Sequence, residues 1–201
     1  MSSIDKLTEI FRKFPGVGPR QARRFVYHLL SRNDNTANEI VENISKLKND
    51  VAQCKQCQRF YTLKNPGTDV CGICADHNRE QQILMIVARD VDLDNMEKSR
   101  AFNGLYFVLG GNVPILEEKP QSFIRQVELL ERVKNLNLKE IIIGTSANPE
   151  GENTFYYVQG LLKKSLGDGV RITTLGRGLS TGTELEYSDA DTIKSAMMNR
   201  R

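Results

Sequence analysis

Four cysteines arranged as two Cys-x-x-Cys pairs, Cys54/Cys57 and Cys71/Cys74, constrain this chain more than any other feature, and it has no further cysteine. Each pair presents two sulfurs from one tight turn, and zinc prefers a tetrahedron of four thiolates. The intervening stretch holds Asn65-Pro66-Gly67, a turn that can bring the pairs together. Core thiols and disulfides are the other readings. Disulfides are disfavoured in a cytosolic chain, and neither pair has the strand–helix setting of a redox dithiol. We therefore expect one structural zinc per chain, held by Cys54, Cys57, Cys71 and Cys74. The segment is poor in apolar residues, so the metal supplies folding energy its own core lacks. His77 reads as a surface residue and not as a ligand.

A cytosolic setting is itself an expectation. The start, MSSIDKLTEIFRK, has no apolar core of a secretory signal. No apolar run approaches the roughly 18 residues of a membrane span. With 39% hydrophobic residues the chain of 201 can bury a real core.

Its net charge of +3 is too small to imply nucleic-acid binding, but the distribution says more. Arg12, Lys13, Arg20, Arg23, Arg24 and Arg32 fall together with His28, and no acid interrupts residues 11–32. Around this cluster, residues 4–30 read as two helices. In the first, Ile4, Leu7, Ile10, Phe11 and Phe14 recur at helical spacing. In the second, Ala22, Phe25, Val26, Leu29 and Leu30 share a face. Between them, Pro15-Gly16-Val17-Gly18-Pro19 breaks any helix. A Gly-x-Gly hairpin lets backbone N–H groups reach a phosphate at the positive end of the following helix. Gly16, Gly18, Arg20, Arg23 and Arg24 are thus the candidate DNA-binding residues. Such a helix-hairpin-helix grips backbone and not base edges, so it binds without sequence preference. A solvated basic helix face beside a Pro-Gly turn is the plainer reading. A third amphipathic stretch, residues 36–51, is expected to turn Ala37, Ile40, Val41, Ile44, Leu47 and Val51 inward.

Beyond the cysteines the pattern changes. Residues 83–88, 104–110, 140–145 and 170–176 read as buried strands, and helical stretches alternate with them. That alternation indicates a mainly parallel sheet covered on both faces. Acids cluster after two of the strands: Asp90, Asp92 and Asp94 after the first, Glu150 and Glu152 after the third. Carboxyl ends of parallel strands are where ligands bind. These acids can hold Mg²⁺ for phosphoryl chemistry, contact a basic partner, or stand solvated in loops. A calcium loop starting at Asp90 is excluded, because Asn95 and Ala101 occupy its glycine and glutamate positions.

The order of these parts resembles the RecR family of bacterial recombination mediators over nearly the whole chain. The resemblance rests on FPGVGPRQARRFVYHLL, CKQC…CGIC, FNGLYFVLGG, EGENT and RGLSTGTELEYSD. It implies an α+β multi-module chain: a helix-hairpin-helix module at 1–52, a four-cysteine zinc finger at 53–78, an α/β Toprim domain at 79–175 and a C-terminal segment at 176–201. Catalytic Toprim relatives carry a glutamate at the end of the first strand and an acidic pair after a later one. Here the first position is Ala88, while Glu150 and Glu152 keep the pair. Losing a proton-transfer group removes an effect of roughly 10²–10⁴ in rate. The resemblance therefore implies a scaffold and not an enzyme. It also implies a homo-oligomer, a ring-shaped tetramer or paired dimers around DNA. That assembly acts with RecO and RecF in DNA repair to help load RecA on gapped or single-stranded DNA. Arg20 and Arg24 match the family's DNA-contact positions, and Glu150 and Glu152 become partner-binding candidates. Phe11, Phe14, Phe25, Val26 and Leu29 supply either a dimer contact or a plain helical core. The alternative function is a Mg-dependent Toprim enzyme, nuclease or primase-like, using Glu150, Glu152 and Asp90 or Asp92. A topoisomerase would need a nucleophilic tyrosine such as Tyr106 or Tyr187 and a large further domain.

Overall fold

The computed structural model describes residues 1–31, 35–63 and 67–200, which form two compact units, Met1–Val51 and Ala52–Arg201. Arg32 and the Asn65-Pro66 part of the expected turn lie outside the described residues.

The first unit contains α1 (Ser3–Phe11), α2 (Pro19–Ser31) and α3 (Thr36–Asp50). A capping box starts α1, with Ser2 and Asp5 each satisfying the other's backbone N–H. The helix ends earlier than its apolar spacing suggests, and Phe14 falls in the following turn. Phe11 meets Phe25 edge-on at 5.8 Å and Phe14 at 6.2 Å, and Ala22 and Val26 are fully buried. The sequence expectation fails at α3. The helix forms, but none of its residues is buried, and Val41 and Leu47 are 65% and 61% exposed. An apolar helical stripe needs a facing surface, and the small core here is built on α2.

The second unit continues with β1 (Val51–Gln53), β2 (Phe60–Thr62), α4 (Gly72–Ala75), β3 (Glu80–Val87), α5 (Asp90–Ser99), β4 (Gly104–Val108), α6 (Gln126–Lys134), β5 (Glu140–Gly144), α7 (Pro149–Leu166), β6 (Arg171–Thr174) and α8 (Ala190–Met198). Strands β1 and β2 make a small ribbon, and the others a four-stranded sheet ordered β4-β3-β5-β6, parallel at every pairing. Alternate residues point to opposite faces. Leu84, Ile86, Leu105, Phe107, Ile141 and Ile143 bury against Leu129 and Val133 of α6 and Val158 and Leu162 of α7. Met85, Val87, Tyr106 and Val108 bury on the other face against Leu93 of α5. Ile73 of α4 packs on that face and also on the cysteine cluster, which is therefore part of the covering layer. The register sets Val87 beside Val108 and Gly144, and Ile143 beside Thr174, so the four carboxyl ends form one edge.

Candidate metal centre and nucleic-acid interface

The knuckle is built by backbone geometry around each pair. Gln58 N–H donates to the Cys54 carbonyl at 2.9 Å, and Ala75 N–H to the Cys71 carbonyl at 3.0 Å. Cys71 N–H donates to the Cys54 Sγ at 3.3 Å. The four sulfurs lie within 4.8 Å of one another, and Cys57 and Cys71 Sγ are 3.6 Å apart. A tetrahedral zinc with arms of about 2.3 Å has sulfur–sulfur edges of about 3.8 Å. The cysteines are unpaired, and all but Cys74 are buried. Hydrogen bonding from Cys57 above all, then Cys71 and Cys74, holds the Cys54 thiol far below its ordinary range, while the same contact with Cys54 keeps the Cys57 proton on. Four buried thiolates coexist only beside a cation. The cluster fits a metal ion, as expected, and His77 is exposed and outside it.

The acids after β3 hold this knuckle to the sheet. Asp90 accepts from Phe60 N–H at 2.8 Å, and Asp94 pairs with Arg59 at 3.0 Å. Asp92 caps α5 by accepting from Arg89 N–H at 2.9 Å. Val108 N–H donates to the Cys57 carbonyl at 2.8 Å, and Arg125 Nη1 donates to the carbonyls of Gln58 and Val108 at 2.9 and 3.1 Å. Gln58 takes a left-handed φ of 63°, a conformation that side chains rarely adopt and that these bonds hold in place. Sequence reasoning missed Arg59 and Arg125, since a single arginine leaves no periodic or motif signal.

At the carboxyl edge, Glu150 and Glu152 stand in the first turn of α7 and not in a loop. Asn148 caps that turn by accepting from Gly151 N–H at 2.8 Å. A Cβ on Gly151 would sit 2.0 Å from the Ser146 carbonyl oxygen, so only glycine fits between the acids. Thr154 accepts from Val113 N–H at 2.9 Å, and Asn153 donates to the carbonyls of Val113 and Pro114. The EGENT motif thus fastens the loop after β4 to α7. Gly151→Ala is expected to cost about 3 kcal/mol, the upper end of overpacking, and to lower Tm by about 6–12 °C. Thermal unfolding of this variant within 1 °C of the parent would contradict that packing.

Among the described residues the acids of this edge do not gather into a cluster that could hold a metal ion. Ala88 offers no donor and is buried, Asp90, Asp92 and Asp94 are engaged as described, and Glu152 pairs with Arg177 at 2.6 Å. Tyr106 is fully buried, and burial first, then the neighbouring Glu97, pushes its ionisation upward. It cannot serve as a nucleophile. Tyr187 is exposed.

In the first unit, Gly16 has a left-handed φ of 75°, which a glycine adopts without strain. An added Cβ at Gly16 or Gly18 meets nothing within 4 Å, so the hairpin is open to an approaching group. Gly18 accepts from Ala22 N–H at 2.9 Å and begins α2, whose first-turn N–H groups have no intrahelical partner. Arg20, Arg23 and Arg24 are all exposed, but they do not converge. Arg20 and Arg23 border a cavity of about 290 Å³ with Arg12, Asp5 and Glu9. Arg24 borders another with Gln21 and His28.

This geometry agrees with comparisons to known proteins. A family model described as RecR, helix-hairpin-helix matches residues 4–48, a Toprim domain model residues 82–176, and a RecR, C-terminal model residues 178–201. A relative from Staphylococcus saprophyticus named Recombination protein RecR is 34% identical over 98% of this chain and 96% of its own. The chain belongs to the RecR family. A second RecR relative, from Rickettsia bellii, is 34% identical over 100% of this chain and 96% of its own. The fold is accordingly the one the RecR resemblance implied: a helical hairpin, a four-cysteine cluster, a parallel Toprim sheet and a C-terminal helix. The RecR relatives bear a name for a recombination protein, which does not indicate catalysis. Among the described residues no helix is long and apolar enough to cross a membrane.

Proposed function

We propose that this protein is a recombination mediator in DNA repair: a zinc-stabilised, oligomeric scaffold or clamp that grips DNA backbone without sequence preference. It acts in the cytoplasm with RecO-type and RecF-type partners to help load RecA on gapped or single-stranded DNA. The observation that carries this reading is a basic hairpin joined in one RecR-family chain to a Toprim sheet whose acids Asp90, Asp92, Asp94 and Glu152 have structural partners. DNA enters through the open Gly16–Gly18 hairpin and the arginines Arg20, Arg23 and Arg24. The fixed ion is zinc, four thiolates being its preferred structural set. Glu150 and Glu152 form the docking face for a basic partner. An oligomer explains the apolar stripe Ile40, Val41, Ile44 and Leu47, since patches of this kind mark interaction surfaces. Linked chains also multiply weak backbone contacts into usable avidity.

Incubation with Mg²⁺ or Mn²⁺ and plasmid or single-stranded DNA should give no cleavage, relaxation or polymerisation. Glu150→Ala should weaken a RecO-type partner while fold and DNA affinity stay intact. Metal-dependent turnover that disappears in Glu150→Ala would overturn the scaffold reading.

A further inference from the structure

We propose that Arg177 is an internal competitor for the partner-docking acids, so that the C-terminal segment has to release Glu152 before a partner's basic side chain engages it. The inference rests on the docking role given above to Glu150 and Glu152.

Arg177 follows β6 and reaches Glu152 on the first turn of α7, Nη1 to Oε1 at 2.6 Å. Its position is set from the far end of the chain. Asn199 Nδ2 donates to the Arg177 carbonyl at 2.8 Å, so residues 177–199 close into a loop at Arg177. Inside that loop, Asp189 caps α8 by accepting from Asp191 and Thr192 N–H at 3.0 and 2.9 Å. An open cavity of about 460 Å³ is bordered by Glu152, Arg177, Asp189 and Asp191. Arg177 and Lys194, which pairs with Asp191 at 3.4 Å, offset two of the three carboxylates, so the local charge stays acidic by one.

The strength of the contact decides its role. Both side chains are about half exposed, at 45% and 46%. An exposed pair of this kind contributes only about 0–1 kcal/mol and is screened by salt. It anchors the segment by no more than a few-fold, so it yields to a partner, yet it occupies Glu152 when no partner is present. An incoming arginine can engage a carboxylate with two parallel N–H donors and displace it. Glu150, exposed in the same turn, stays available for first contact.

The test uses the full chain with a purified RecO-type protein at low salt, reading partner affinity by calorimetry and amide exchange across residues 190–198. Arg177→Gln should tighten partner binding by about two- to five-fold, the ratio equivalent to one exposed ion pair. Glu152→Gln should speed exchange in α8 with no partner added, because the loop loses its anchor. Glu150→Gln should weaken the partner and leave exchange unchanged. If Arg177→Gln binds equally or more weakly while Glu150→Gln still weakens the partner, the competition is refuted and the docking face stands. If neither glutamate variant alters partner affinity, the docking face is refuted and the competition with it. Unchanged α8 exchange in Glu152→Gln would show that the pair anchors nothing.

Discussion

Chelating the metal, or replacing Cys57 by Ser, is expected to lower the stability of this protein by about 5 kcal/mol, as losses of structural metal do. For a chain of this size that corresponds to a fall in Tm of about 10–20 °C. The effect extends beyond the knuckle because the knuckle is fastened to the sheet. The Cys57 carbonyl accepts from Val108, the adjacent Gln58 is held in a left-handed conformation, and Arg59 and Phe60 meet Asp94 and Asp90. Losing the metal removes the bond that ties the four sulfurs together and loosens the support under Arg125, which bridges Gln58 and Val108. The hairpin lies in the other compact unit, so DNA affinity of whatever remains folded should change little. Melting curves taken beside metal analysis check this, with about one zinc per chain expected in the untreated protein. A metal-free preparation that melts at the same temperature would show that the site is not structural.

Sequence carried far where chemistry repeats at fixed spacing, and failed where the outcome depends on a distant neighbour. Two Cys-x-x-Cys pairs brought four sulfurs together as the spacing required. Apolar runs at 83–88 and 140–145 became central strands because β-branched and aliphatic residues fill both faces of a covered sheet. The stripe on α3 predicted the helix but not its exposure, since periodicity reports that an apolar face exists and not what covers it. The three aspartates after β3 looked like one acidic cluster. In the fold each has a separate partner, Phe60, Arg89 and Arg59, and two of those partners are about thirty residues away. Glycine in EGENT reads as permissive in sequence, yet Gly151 is there because the Ser146 carbonyl fills the space of a side chain.

The second large effect is expected at the hairpin. Arg20→Ala with Arg24→Ala should weaken binding to unrelated DNA sequences to a similar degree, because backbone contacts carry no sequence information. The arginines differ in surroundings, which ranks the single variants. Arg23 stacks over the Tyr27 ring at 5.9 Å and borders the same cavity as Asp5 and Glu9, whereas among the described residues no acid borders the cavity beside Arg24. Arg24→Ala should therefore cost more DNA affinity than Arg23→Ala. Fold and oligomeric mass should survive all of these changes, since the three side chains are exposed and outside the buried pair Ala22 and Val26. DNA binding should also steepen at the protein concentration where oligomers form. The most direct measurement is the affinity of parent and Arg20→Ala/Arg24→Ala for duplex DNA across a series of salt concentrations. A backbone-gripping scaffold predicts weaker binding for the double variant and a slope of log affinity against log salt shallower by roughly two units, one per lost phosphate contact. Equal affinity and equal slope at every salt concentration would contradict it.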